Sequence, residues 1–152
     1  MNSSADLGVL LPSAEEAMEK LVLAEAEKAT ESIRRETAVE NERKALIDRL
    51  SKPSGVSDDE ALKRTATIVN NAIKNGLTEV QVYRFPNTMC TDRGRAINQQ
   101  EPGWEASLTG IPKEIFEFWK RQLQSRGYKL YAQIVEFPDG VPGDVGLTLK
   151  WG

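Results

Sequence analysis

The sequence predicts an α+β protein: a long N-terminal charged helix followed by a compact domain in the order helix-strand-helix-helix-strand-strand, with a three-stranded sheet. Three observations lead there. Residues 13–50 are densely charged and carry few large apolar side chains. Residues 57–151 alternate between helical and strand-like apolar spacing, and Lys52-Pro53-Ser54-Gly55 interrupts the chain between the two. The expected organisation is a disordered N-terminus over 1–12, a long charged helix over 13–52 and an α+β domain over 53–152.

Ser13 with Glu16 three residues later is a capping box, so a helix starts there. Met18, Val22, Ala26, Ala29 and Ile33 follow at helical spacing, whereas over 34–45 only Ala38, Val39 and Ala45 are apolar. Glu16–Lys20, Glu31–Arg35 and Glu40–Lys44 are acid-before-base pairs at i,i+4, each stabilising a helix by roughly 0.2–0.5 kcal/mol. Two readings stay open: a solvated helix, or an oligomerisation helix whose stripe pairs with a copy of itself. A clean heptad of large residues is lacking.

Ser57 with Glu60 opens a second helix. Its inner stripe is expected at Leu62, Ala66, Val69 and Ile73, widened by Ala61, Thr65, Ile68 and Ala72, and Gly76 fits its left-handed end. Residues 77–85, with Val80, Val82, Tyr83 and Phe85, read as a strand stopped by Pro86. Thr88 or Thr91 is expected to cap a short helix through Asn98. Pro112 fits the first turn of a further helix, along which Ile111, Ile115, Phe118, Trp119 and Leu123 recur at helical spacing until Gly127. Residues 128–137 and 145–151 alternate as strands around the turn-rich 138–144, which predicts a hairpin. Its second strand sets Val145, Leu147, Leu149 and Trp151 on one face and Gly146, Thr148 and Lys150 on the other, so the sheet is expected to be covered on one side.

Composition narrows the function. The chain has 152 residues, 39% hydrophobic and 28% charged, as in an ordinary globular protein. No apolar run approaches the roughly 20 residues that span a bilayer, and residues 1–11 lack a signal peptide's basic segment, so no membrane association and a cytoplasmic location are expected. There is one cysteine, Cys90, and no histidine, which excludes an intrachain disulfide and removes the commonest general base and metal ligand. The net charge of −3 lies in the first 52 residues, with eleven acids and eight bases; the remainder carries twelve of each. That neutrality argues against nucleic acid as a partner, because phosphate binding draws on a basic excess.

The segment most able to carry chemistry is 85–104. Cys90 and Thr91 precede an expected helix start, with Arg93 and Arg95 beside them, an arrangement that would favour a small anion and lower the thiol pKa. Trp104, after the Glu101-Pro102-Gly103 turn, would add a stacking or cation-π wall. Cys90, Thr91, Arg93, Arg95 and Trp104 are therefore the candidate ligand-binding residues. Against this, Cys90 fits equally as a small buried hydrophobe, Asp92 as the partner of an arginine and Trp104 as a core plug. No catalytic residue, metal ligand or cofactor is assigned: Asp139 and Asp144 offer too few oxygens for calcium, and no glycine-rich nucleotide cradle occurs.

The element order resembles that of the winged helix-turn-helix family, which implies DNA reading by the helix before the hairpin, here with Lys113, Lys120, Arg121 and Arg126. The long connection over 99–111, the long first strand and Asp139 and Asp144 at the wing depart from that pattern. Residues 77–151, through Phe85-Pro86-Asn87, Cys90-Thr91-Asp92, Pro102-Gly103-Trp104-Glu105 and Pro142-Gly143-Asp144, resemble a group of small bacterial proteins of unknown function. The strand start Gly127-Tyr128 and the last strand ending in Trp151 are similar to small phage-encoded α+β proteins. That resemblance implies the fold class and carries over no activity or site. The functional expectation is a non-enzymatic interaction or assembly protein, with a protein partner or a second copy on the 13–50 helix. A winged-helix-like nucleic-acid binder and a small-anion or thiol protein centred on Cys90 are the alternatives.

Overall fold

A computed structural model describes residues 10–152; the disorder expected for 1–12 falls, as far as residue 9, outside the described residues. The chain divides into two compact units, one reaching Lys44 and one spanning Ala45–Gly152. Helix α1, Ala14–Ser51, is continuous over 38 residues. Ser13 starts it as expected, its Oγ accepting the Glu16 amide at 3.1 Å. Of the three anticipated ion pairs, Glu31–Arg35 closes to 3.9 Å. Every residue from Ser13 to Lys44 is exposed.

The second unit begins earlier than the expected boundary at Pro53. Leu50 is buried in the core, and Leu46 and Ile47 pack against it. These three residues lie on one side of the last two turns of α1, so those turns belong to the folded unit.

Helix α2, Asp58–Lys74, is capped by Ser57, whose Oγ accepts the Glu60 amide at 3.2 Å. Its inner face differs from the expected one. Val69 and Ala72 are buried and Leu62 packs on the core, but Ala66 and Ile73 are exposed. The helix is rotated so that Leu62, Thr65, Val69 and Ala72 face inward, with the small Ala72 admitting close contact.

Strands β1 (Glu79–Phe85), β2 (Lys129–Ile134) and β3 (Val145–Lys150) form an antiparallel sheet in the order β1-β3-β2. Leu149 faces Val80 on one side and Leu130 on the other. The expected hairpin is present, and beyond its ladder the Val135 amide donates to the Asp144 carbonyl at 2.9 Å. One expectation is corrected: Gly146 and Thr148, assigned to an open face, are buried along with Val145, Leu147 and Leu149. As the central strand, β3 is covered on that face by longer side chains from its neighbours, and a Cβ on Gly146 would stand 2.7 Å from Gln81 Oε1 and from Val135 Cγ1.

The connection from β1 contains a single turn at Asn87–Met89, the short helix α3 (Arg95–Asn98) and a second turn at Trp104–Ser107. Helix α4, Gly110–Phe118, continues through a π-helical turn, Trp119–Leu123, and a tight last turn to Gly127, whose φ of 91° ends it. Pro112 is buried in its first turn. Phe85, Met89, Val145, Leu147 and Leu149 are the most deeply buried large side chains, placing the core between the sheet and the segments that cover it.

Candidate functional site

The five residues singled out from the sequence have unlike surroundings, Cys90 buried and Thr91, Arg93 and Arg95 exposed. Cys90 pairs with Leu108 in an isolated antiparallel bridge, and the Thr91 amide donates to the Ser107 carbonyl at 2.8 Å. That bridge closes the loop between them and turns the Cys90 side chain into the core, where it is 3% exposed. Burial pushes its thiol up to about 11; the Ser107 hydroxyl opposes the rise and the Asp92 carboxylate adds to it. The direction is opposite to that of a thiol activated by a helix terminus.

The cap expected from Thr88 or Thr91 is supplied instead by Asp92. Its carboxylate accepts the Gly94 amide at 2.9 Å and the Ala96 amide at 3.0 Å. Burial alone would raise the Asp92 pKa, but these amide bonds bring it below its ordinary value. The amides at the head of α3 are thereby occupied by the chain's own anion. Thr91 and Arg93 are exposed, and Arg95 pairs with Glu101 at 3.0 Å in solvent. Trp104 packs edge-on against Phe116 with ring centroids 5.8 Å apart. Among the described residues no guanidinium covers it; the cation-π contact found is Lys150 over Tyr131 at 5.9 Å.

Of the basic residues expected on a reading helix, Arg121 is engaged by a carboxylate. Arg121 grips Asp58 through both carboxylate oxygens, at 2.9 and 3.3 Å, and Gln122 donates to the same carboxylate at 2.9 Å. Those bonds hold the Asp58 carboxyl below its ordinary pKa. At the hairpin, Arg84 binds Asp144 at 2.9 Å and Glu136 at 2.8 Å, so the Asp144 carboxylate is engaged by a guanidinium. Among the described residues no group of three His, Cys, Asp or Glu side chains is placed to hold a metal ion, and no helix is long and apolar enough to cross a membrane.

A concave feature of the domain lies elsewhere: a cleft of about 460 Å³ between α2 and α4, floored by the sheet. Val82, Leu130 and Leu149 form the floor; Ile68 stands on the α2 wall and Ile115 and Phe118 on the α4 wall. Asp58, Arg64, Glu114, Glu117 and Arg121 surround the mouth. Trp119 also lines the cleft, fixed by a 3.0 Å bond from its indole nitrogen to the Tyr128 carbonyl. It opens the π-helical turn, which shifts the following side chains around the helix axis. By their spacing alone, Ala61, Thr65 and Ile68 are an ordinary widening of the α2 core face. An apolar arc wider than its cover was the available signal, and it shows only once the spacing of α2 and α4 is known.

Compared with models of protein families, with curated proteins and with solved structures, the chain matches none.

Proposed function

We propose that this is a non-enzymatic interaction and assembly protein that associates through α1, with a second copy of the chain as its partner there. The observation that carries the reading is the exposure of large apolar side chains on one helix face: Met18, Val22 and Ile33 are 59, 58 and 63% exposed. With Ala26 and Ala29 they form a stripe of about four turns, roughly 24 Å long at 1.5 Å per residue. Covering such side chains is favourable by about 25 cal/mol for each Å² of apolar surface removed from water. The two alanines permit close approach of a second helix, and the charged residues beside the stripe can pair across it.

The alternatives have less support. A thiol-centred activity needs an accessible thiolate, and burial holds Cys90 in its neutral form. Nucleic-acid binding draws on a basic excess, whereas residues 53–152 carry twelve acids against twelve bases and Arg121 is held by Asp58. The single cysteine and the lack of a membrane-crossing helix among the described residues support a cytoplasmic location.

The test is a charge placed in the stripe. Val22 and Ile33 are exposed, so the double variant V22E/I33E should keep the helical circular dichroism of the parent. The parent should sediment as an oligomer and the variant as a monomer. Identical sedimentation of the two would remove the reading.

A further inference from the structure

The cleft between α2 and α4 has a chemistry divided between an apolar interior and a charged mouth. We infer that it is a binding site for a small amphipathic molecule with an apolar body and a positively charged end. Its volume of about 460 Å³ falls within the range of about 300–1,000 Å³ typical of small-molecule sites. The interior offers aliphatic and aromatic carbon from Ile68, Val82, Ile115, Phe118, Leu130 and Leu149. Two of its polar groups are already committed: the Thr65 hydroxyl donates to the Ala61 carbonyl at 2.7 Å and the Trp119 indole to the Tyr128 carbonyl at 3.0 Å. A polar group carried into this interior gives up its hydrogen bonds to water with little to replace them, so the inserted body is apolar.

The mouth selects the sign of the other end. Two bases reach it, and both are neutralised by carboxylates: Arg121 by Asp58 at 2.9 Å and Arg64 by Glu60 at 3.3 Å. Two acids remain. Glu114 accepts the Ser54 backbone amide at 3.2 Å, and neither Glu114 nor Glu117 has a cation within 4.0 Å among the described residues. Three residues apart on α4, they share one side of the helix. Glu117 also feels the Arg121 charge at longer range, but with Asp58 and Glu60 the mouth holds four carboxylates against two guanidiniums, so a cationic end meets a net negative charge in contact with water and an anionic end is repelled.

Matched probes on the intact chain test this: decyltrimethylammonium and decanoate, each below its micellar concentration, followed by methyl NMR. Decyltrimethylammonium should shift the Ile68, Val82, Ile115 and Leu149 methyls saturably. It should bind at least about threefold more tightly than decanoate, as expected for solvent-exposed ion pairs. The E114Q/E117Q variant should lose that preference while still binding decanol in the same cleft. Equal affinity of the two probes for the parent, a preference retained in the variant, shifts confined to residues outside the cleft, or no saturable shift with either probe would each overturn the inference.

Discussion

Gly110 sits against the backbone of Leu50, so that a Cβ built on Gly110 would collide with the Leu50 carbonyl oxygen and stand 2.8 Å from Met89 Cε and 3.0 Å from Ser51 Cα. The contact joins the last turn of α1 to the first turn of α4. Gly110 also has φ +59°, in the left-handed region. An L-residue pays roughly 1–2 kcal/mol for that conformation alone, and a collision with backbone adds about 1–3 kcal/mol of overpacking. G110A should therefore destabilise the protein by about 3 kcal/mol in urea titration, with the largest chemical-shift changes at Leu50 and Met89. A loss below about 1 kcal/mol would show that the last turn of α1 does not press on α4 in this way.

The same junction decides where the domain can be cut. A fragment 45–152 retains Leu46, Ile47 and Leu50, and should unfold cooperatively with a midpoint close to that of the whole chain. A fragment 53–152 loses all three. Removing a single buried leucine side chain costs about 2–5 kcal/mol, a large part of a typical total of about 5–15 kcal/mol. The shorter fragment should show a broad thermal transition and bind a hydrophobic dye. Equal stability of the two fragments would place the boundary back at Pro53.

Cys90 makes alkaline stability a readout of the core. Burial raises the folded thiol pKa from 9.0 to about 11, above its unfolded value. The neutral thiol therefore contributes stability that is fully present below about pH 9 and is lost as pH rises towards about 11, by roughly 2–3 kcal/mol at 1.4 kcal/mol for each unit. C90A has no thiol to ionise. Urea midpoints of the parent should fall relative to C90A between about pH 9 and 11, and alkylation of the native parent at neutral pH should be slow until it unfolds. Parallel pH profiles for the two proteins, with fast native labelling, would place the thiol at the surface.

Much of the fold was legible because local chemistry dictated it. Ser13 and Ser57 each cap the expected helix, Gly127 ends α4, and the turn-rich 138–144 closes the β2–β3 hairpin. The misplacements came from tertiary neighbours. Leu46, Ile47 and Leu50 occupy too short a stretch of α1 to stand out against its charge, and the tertiary cluster in which they pack makes them core. Gly146 and Thr148 look solvated by alternation, yet the central place of β3 in the sheet buries them. At the candidate site, the choice between a reactive and a buried Cys90 turned on the bridge to Leu108, a pairing across the loop that spacing does not reveal. The α2–α4 cleft depends on how far apart two helices stand, which no single segment encodes.

Association through α1 is tested most directly by sedimentation equilibrium of the full chain over a wide range of protein concentration. The account predicts a reversible shift from the 16.9 kDa monomer to a dimer, abolished by V22E/I33E with the helix intact. A mass that stays at the monomer value at every concentration would contradict it.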